Sequence, residues 1–287
     1  MDMPTAYSYR PSVKSDRSDE LINTHVVRPL AGLIVRALYF TACTPNQITV
    51  AAIVVGLVAA PFYSEGSLQA TVIAGCLVWL KDLLDSADGQ LARAKGLYSR
   101  RGRFLDSIGD FFVNLAVFTA IAAHMAERIG SPGALWLGAA CFAGTTLRIS
   151  YHVFYQVSFL HREDTYAINR TNEKILDADR RQETLTITLQ KIYLVLYGWQ
   201  DRVMAGLDLW CRKSLSEKSE LAWYRDPVGL TLSGFLGMGT ELFALALFSW
   251  MNRLTWYFFF NLIVQNGIWF ACLVYRRMIL ARRLRSI

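Results

Sequence analysis

The sequence predicts an all-α integral membrane protein with six transmembrane helices. Three observations carry this prediction: long apolar stretches with helical periodicity, basic residues gathered on alternate sides of them, and a hydrophobic content of 53% over 287 residues. The mean hydropathy of +0.26 is high for a soluble protein and low for a bundle buried wholly in lipid. We therefore expect spanning helices together with one substantial polar segment.

Charge and cysteine content exclude several other classes. The net charge of +7 fits a membrane protein with many cytoplasmic Lys and Arg, and we expect no nucleic-acid partner. The five cysteines are scattered and form no CxxC pair, so neither a disulfide framework nor a zinc site is expected. The first 23 residues lack an apolar core, which argues against a cleavable signal peptide.

The N-terminal region precedes the first span. Residues 1–18 combine Pro, Ser, Tyr and mixed charge, and we expect them to be disordered. Residues 19–42 are predicted to form a juxtamembrane amphipathic helix along the membrane surface, with a soluble core helix as the alternative. Its apolar stripe consists of Val26, Leu30, Leu33, Ile34 and Ala37.

The membrane domain is predicted to occupy residues 43–287. Thr44 is placed to cap a new helix that has Pro45 at its first position. The six predicted spans are residues 48–62, 68–84, 103–125, 134–160, 228–250 and 254–280. Between spans four and five lies a long polar insert, residues 161–226, with one or two amphipathic helices. These would lie on the bilayer, cover the site as a lid, or be inert surface helices.

The distribution of basic residues orients the spans. The outer loops near residues 64–67, 127–133 and 251–254 contain only Arg128 and Arg253, whereas the inner segments hold nearly all other Lys and Arg. This asymmetry predicts a multi-pass protein with a cytoplasmic N-terminus, in the inner membrane if the cell is bacterial. It also places a group of four aspartates on the cytoplasmic side.

These aspartates stand where the second and third spans meet. Asp85 and Asp88 are three residues apart, and Asp106 and Asp110 are four apart, so each pair shares one face of a helix. Four carboxylates this close cannot all be ionised without protons or cations among them. Oxygen-only ligands favour hard cations such as Mg²⁺, Mn²⁺ or Ca²⁺. The alternative is a set of ordinary interfacial ion pairs with Arg93, Arg101 and Arg103.

Small residues and one arginine accompany the aspartates. Gly89, Ala92 and Gly102 leave room for the backbone and a ligand to approach closely. Arg93 follows Asp88 by five residues and is suited to hold phosphate oxygens.

The complete pattern resembles the signature of the CDP-alcohol phosphotransferase (phosphatidyltransferase) family. It reads Asp85-x2-Asp88-Gly89-x2-Ala92-Arg93-x8-Gly102-x3-Asp106-x3-Asp110, and all eight fixed positions match over 26 residues. The six-span pattern, the preceding surface helix and the Thr44-Pro45-Asn46 entrance resemble the family as well. The insert at residues 161–226 departs from its compact members.

The resemblance implies metal-dependent transfer of a phosphoalcohol group from a CDP-alcohol to an acceptor hydroxyl, with release of CMP, in phospholipid biosynthesis. Two divalent cations, Mg²⁺ or Mn²⁺, would be held by the four aspartates, and Asp110 would double as the general base. The nucleotide and phosphates would be accommodated by Gly89, Ala92, Arg93 and Gly102, with Asn46 and Thr49 contributing from the first span. The resemblance also implies a homodimer and contact with membrane lipid.

The identity of the two alcohols stays open at this level. We favour CDP-diacylglycerol as donor, with a polar acceptor. The alternative is a donor that carries the polar group, such as CDP-ethanolamine, CDP-choline or CDP-inositol. A divalent cation transporter is the alternative from another class, although its acids would be expected near the bilayer midplane.

Other polar residues fall inside the predicted spans. They either bind the acceptor or link helices by hydrogen bonds, and snorkelling is favoured for the arginine among them. They are Arg148, Glu241, Asn261, Gln265 and Asn266. Lys81 is interpreted as a structural ion-pair partner of Asp82 or Asp85.

Overall fold

The computed structural model describes residues 7–12, 16–163, 175, 183–213, 215 and 219–285. Within these residues all regular structure is helical, which confirms the predicted all-α class. The helices are α1 Arg28–Leu38, α2 Pro45–Glu65, α3 Leu68–Lys95, α4 Arg100–Ile129, α5 Gly133–Arg162, α6 Thr184–Arg212, α7 Glu220–Tyr224, α8 Pro227–Gly234, α9 Met238–Trp250, α10 Leu254–Phe259, α11 Asn266–Val274 and α12 Ala281–Arg285. Three π-helical segments adjoin these helices in the described chain: Asn23–Val27 precedes α1, Phe260–Gln265 follows α10, and Tyr275–Leu280 follows α11.

Four stretches of the described chain are long and apolar enough to cross a membrane. They are Pro45–Glu65, Arg100–Ile129, Glu220–Trp250 and Leu254–Arg285. The other two predicted spans lie in α3 and α5, which have 28 and 30 residues but do not meet the same combination of length and apolarity. The structure therefore supports a helical membrane protein. Besides the four apolar stretches it contains two long helices of more polar composition, α3 and α5.

Local capping sets the junction between α3 and α4. Gly96 ends α3 with φ of +66°, a conformation that glycine adopts without a Cβ penalty. Ser99 then begins α4, because its hydroxyl accepts a hydrogen bond from the Gly102 N–H at 2.9 Å. This cap starts the helix three residues before the position that periodicity predicted. The resulting short connection brings the aspartate-bearing ends of the two helices together.

The entrance to α2 follows the sequence prediction. Thr44 and Gln47 form a reciprocal capping box, and Pro45 occupies the first turn. The 21-residue α2 then packs against both α3 and α4. Residues of α2 therefore reach the site that these two helices form.

The segment before α1 is held against the rest of the protein by hydrogen bonds. Residues 1–6 and 13–15, part of the region expected to be disordered, lie outside the described residues, whereas Arg10–Ser12 and Asp16–Ser18 form short 3₁₀ turns. Glu20 accepts hydrogen bonds from the N–H of Thr240 at 2.6 Å and of Gly239 at 3.3 Å, which caps α9. Burial raises the pKa of Glu20 to about 7, against the lowering effect of these backbone donors.

The insert contributes one long helix against the bundle. In α6, the Tyr197 hydroxyl donates to the Ser107 carbonyl of α4 at 2.8 Å, and the Ser150 hydroxyl of α5 donates to Gln200 at 2.5 Å. This helix therefore lies across α4 and α5 next to Asp106. Residues 164–174, 176–182, 214 and 216–218 of the insert are outside the described part of the chain.

A buried polar network links the helices at Arg148. This side chain is fully buried and pairs with Glu241 of α9 at 3.2 Å, so the snorkelling prediction is wrong. Arg148 also donates to Asn266 at 2.8 Å, and Asn261 donates to Glu241 at 2.7 Å. These contacts join α5, α9 and the segment between α10 and α11, and they favour helix linkage over acceptor binding.

Candidate metal and substrate site

Three of the four signature aspartates converge between α3 and α4. One carboxylate oxygen from each of Asp85, Asp88 and Asp106 lies within 4.8 Å of the other two. Asp88 is buried, whereas Asp85 and Asp106 are half-buried. A small divalent cation holds oxygen ligands at about 2.1 Å, so ligand oxygens around it stand up to about 4 Å apart. The three carboxylates fit such an ion with minor adjustment.

The fourth aspartate has a different partner. Asp110 forms an ion pair and hydrogen bond with the ammonium group of Lys81, one turn before Asp85 on α3. The same Lys81 Nζ lies 3.6 Å from Asp85 Oδ1. The Lys81–Asp85 pairing predicted from the sequence is therefore present, and the contact with Asp110 was not anticipated. Asp82, the other predicted partner, is buried beside it.

Thr49 of α2 supports the metal ligands. Its hydroxyl makes a short hydrogen bond to Asp88 Oδ2 and a second contact, at 3.2 Å, with the Pro45 carbonyl. The hydrogen bond orients a carboxylate of the candidate metal group, and the substrate contact expected of Thr49 stays a prediction. A residue of the first predicted span therefore contacts the candidate metal group.

Asn46 packs against the glycine of the signature on α4. A Cβ built at Gly102 would lie 2.5 Å from Asn46 Oδ1 and 2.9 Å from the hydroxyl of Ser99. The absence of a side chain at this position therefore allows α2 and the start of α4 to approach closely. Asn46 therefore contacts the signature at Gly102.

Gly102→Ala is expected to destabilise the protein by about 1–3 kcal/mol, because the added methyl group overpacks the contact with Asn46. Gly206→Ala on α6 is the matched control, since its added Cβ would have no atom within 4 Å apart from its chain neighbours and the backbone of its own helix. That change is expected to be neutral or to stabilise by up to about 1 kcal/mol. Thermal unfolding in detergent measures both variants, and equal effects would contradict this role for Gly102.

One side of the site faces the N-terminal segment. It is formed by Arg93 and the small residues near it. Arg93 Nε donates to the Ser12 carbonyl at 2.5 Å, and its guanidinium lies 3.3 Å from a Cβ built at Gly89. Ala92 is half-buried, and its carbonyl accepts a hydrogen bond from Leu97 at 2.9 Å. The structure thus brings Arg93 and Gly89 together and adds Ser12, which no sequence motif indicated.

The features that the sequence reasoning missed are contacts between elements. Lys81 stands one turn before Asp85, a spacing that indicated a partner on its own helix but not one on α4. Tyr197 approaches the site through Ser107, the neighbour of Asp106, and the sequence indicated only that its segment contains an amphipathic helix. Partners of this kind depend on how one helix is rotated against another, and one-dimensional spacing contains no such information.

These features define a helical membrane protein with a carboxylate site suited to a divalent cation. A sequence model of the CDP-alcohol phosphatidyltransferase family matches residues 42–212, which include every predicted site residue. The match covers more than half of the chain, and the chain belongs to this family of transferases.

Individual relatives agree with the family match. The chain is 28% identical over 156 residues to a bifunctional IPC transferase and DIPP synthase of Aquifex aeolicus, covering 54% of this chain and 33% of that protein. It is 34% identical over 122 residues to the phosphatidylinositol phosphate synthase of Cutibacterium acnes, covering 41% and 53%. The inner membrane protein YnjF of Escherichia coli is 35% identical over 139 residues, covering 48% and 63%.

Three of the curated relatives are matched over only 33%, 25% and 40% of their own length, so this chain spans less than half of each of them. Among solved structures, a phosphatidylinositol phosphate synthase of Mycobacterium tuberculosis with CDP-DAG bound is similar with a TM-score of 0.37 and 18% identity. That comparison covers 79% of this chain and 92% of the other.

Proposed function

We propose that this protein transfers a phosphoalcohol group from a CDP-alcohol to an acceptor hydroxyl and releases CMP. The observation that carries the proposal is the convergence of Asp85, Asp88 and Asp106 within a complete family signature. The family match supports the reaction class, and the carboxylate geometry supplies a place for the cation that such a reaction needs.

We assign the site residues as follows. The carboxylates of Asp85, Asp88 and Asp106 hold a divalent cation, Mg²⁺ or Mn²⁺, which when bound neutralises charge on the donor pyrophosphate. Thr49 keeps the carboxylate of Asp88 oriented toward that position. Asp110 takes the proton of the attacking acceptor hydroxyl.

The donor phosphates lie toward Arg93 in this proposal. Its guanidinium offers several N–H donors in a planar fork suited to phosphate oxygens. Gly89 and Ala92 are small, so they leave space for the phosphates next to the surface of α3. Gly102 lets α4 begin close to α2. Asn46 fixes that approach and borders the nucleotide.

The acceptor hydroxyl attacks the β-phosphorus of the donor. A new bond forms between the acceptor oxygen and that phosphorus, and the bond to the bridging oxygen breaks. CMP leaves with the bridging oxygen and the electron pair of the broken phosphorus–oxygen bond, while the acceptor proton passes to Asp110. Asp110 is half-buried on α4, and its side chain is 14% exposed.

For the donor we favour CDP-diacylglycerol with a polar acceptor. The name of the Cutibacterium relative, a phosphatidylinositol phosphate synthase, supports a phosphatidyl donor. A donor carrying ethanolamine, choline or inositol is the competing assignment. Purified protein with Mn²⁺ is to be given CDP-diacylglycerol or each CDP-linked polar alcohol, with pooled acceptors, and the products identified by mass spectrometry. A phosphatidyl product is expected; product only from the polar donors would reverse the donor assignment.

The proposed arrangement in the membrane has six spans, with α3 and α5 added to the four apolar stretches, and a cytoplasmic active site. The strongly basic inner segments support this orientation. If the cell is bacterial, we place the protein in its inner membrane, and the Escherichia relative named as an inner membrane protein is consistent with that. A homodimer follows from the family resemblance and is proposed on that ground.

The helix of the insert is proposed to lie along the bilayer. On α6, buried Gln190, Gln200 and Asp208 face the protein, whereas Val195 is 76% exposed and Trp199 is 44% exposed. A helix with polar residues inside and apolar residues outside is suited to contact with acyl chains. Its inner face would then form a wall of the site through Tyr197.

A further inference from the structure

A short N-terminal turn, residues 7–12, lies beside the arginine of the signature. Ser12 is fully buried, and its carbonyl accepts the hydrogen bond from Arg93 Nε at 2.5 Å. The N–H of Ser12 donates to the Tyr9 carbonyl at 3.0 Å, and its hydroxyl donates to the same carbonyl at 2.6 Å. The carbonyl that contacts Arg93 therefore belongs to a locally folded turn.

Aromatic side chains pack this turn against α1. A Cβ built at Gly32 would lie 2.8 Å from Tyr9 Cε2, so the absence of a side chain at position 32 makes room for the tyrosine ring. The ring of Tyr7 lies 5.6 Å from that of Tyr39, a buried residue directly after α1. The turn is thus held by packing as well as by its hydrogen bond to Arg93.

The chain that follows the turn is anchored to other helices. The Ser18 carbonyl accepts a hydrogen bond from Gln156 Nε2 of α5 at 2.9 Å. Two residues later, Glu20 caps α9 through the N–H of Thr240. Because contacts on both sides fix the N-terminal segment, the place of the Ser12 carbonyl is set by the fold of the protein.

The contact with Ser12 fixes one edge of the Arg93 guanidinium. A Cβ built at Gly89, one turn earlier on α3, would lie 3.3 Å from Arg93 Nη1 and 3.5 Å from Nη2, so both terminal nitrogens lie over this glycine. Gly89 directly follows Asp88 of the metal group. With Nε engaged by Ser12, the terminal nitrogens are held on the side of the arginine that faces back along α3 toward that group.

We propose that Ser12 is a positioning residue for the donor, because its carbonyl holds Arg93 in the orientation that binds the donor phosphates. This inference rests on the proposed function, which assigns those phosphates to Arg93. Arginine has many rotamers, and ordering such a side chain on binding lowers the affinity for the ligand. A guanidinium already held by Ser12 avoids that loss, so the N-terminal turn contributes to donor affinity without touching the donor.

Tyr9→Ala tests the proposal because it loosens the turn and leaves Arg93 in place. The donor KM for CMP release at saturating Mn²⁺ is expected to rise about 3- to 10-fold, the effect of ordering one long side chain, with kcat nearly unchanged. Gly32→Leu is expected to act in the same way, since the new side chain would take the space of the tyrosine ring. Ser8→Ala, at an exposed position of the same turn, is the matched control and should keep the wild-type KM.

Arg93→Lys shows whether Tyr9 acts through Arg93. Lysine keeps the positive charge but lacks the planar fork that Ser12 orients. In the Arg93→Lys background, Tyr9→Ala is therefore expected to add no further rise in donor KM. The proposal is overturned if Tyr9→Ala raises the KM equally in both backgrounds, or if neither Tyr9→Ala nor Gly32→Leu changes it in folded protein.

Chemical labelling of Arg93 tests the positioning without using the reaction. Modification by phenylglyoxal, followed on purified protein by mass spectrometry, is expected to be several-fold faster in Tyr9→Ala than in wild type and in Ser8→Ala. Equal labelling rates would contradict the proposal. No CMP release by folded wild type with any CDP-alcohol would count against the proposed function instead, and the labelling rates would still decide whether the turn holds Arg93.

Discussion

Asp110→Asn is expected to lower the rate of CMP release by about 100- to 10,000-fold, the range that a general base contributes. The amide has nearly the same size as the carboxylate but cannot take the acceptor proton at neutral pH. Because Asp110 lies outside the group of three carboxylates, the variant should still bind Mn²⁺ and the donor. Asp85→Asn, which removes a member of that group, should weaken donor binding much more.

The two variants are compared by single-turnover kinetics and by donor binding at saturating Mn²⁺. Asp201→Asn, at an exposed position of α6, serves as the control for the loss of one carboxylate and is expected to retain full activity. Equal and complete loss of donor binding in Asp110→Asn and Asp85→Asn would remove the general-base assignment for Asp110.

Arg148→Met is expected to destabilise the protein by about 3–5 kcal/mol, because it leaves the buried Glu241 carboxylate without its cationic partner. Thermal unfolding in detergent measures the loss. The double variant Arg148→Met/Glu241→Gln, which removes both charges, should recover much of the stability. Failure of the second change to recover any stability would contradict the ion-pair explanation.

The same variants separate the two interpretations of this network. If Arg148 links helices, the folded double variant should retain the wild-type KM for the acceptor. A large rise in that KM, with stability restored, would indicate that the network binds the acceptor instead. The contacts of Asn261 and Asn266 with Glu241 and Arg148 favour the first outcome.

Local signals in the sequence predicted the scaffold of the site well. The Thr44–Pro45 cap begins α2 where the sequence placed it, and the three- and four-residue spacings bring aspartates of two helices into one gap. Both features depend on residues close together in the chain. Capping chemistry and helical periodicity therefore suffice to predict them.

Contacts between distant residues were not predictable in the same way. Lys81 meets Asp110 across 29 positions, and Thr49 meets Asp88 across 39. Arg148 lies near the middle of a predicted span, where either snorkelling or a buried partner satisfies its charge. The choice depends on whether Glu241 of a distant helix faces it, and this is set by the packing of the whole bundle.

We propose that a divalent metal ion held by the carboxylates supports transfer at a CDP pyrophosphate. The most direct test of this proposal is CMP release by purified protein with CDP-diacylglycerol and pooled polar acceptors, measured with Mn²⁺, with chelator, and in Asp88→Asn. We expect CMP only in wild type with metal, with activity restored when Mn²⁺ replaces the chelator. CMP release that persists in chelator and in Asp88→Asn, or none from folded wild-type protein with any CDP-alcohol, would contradict the account.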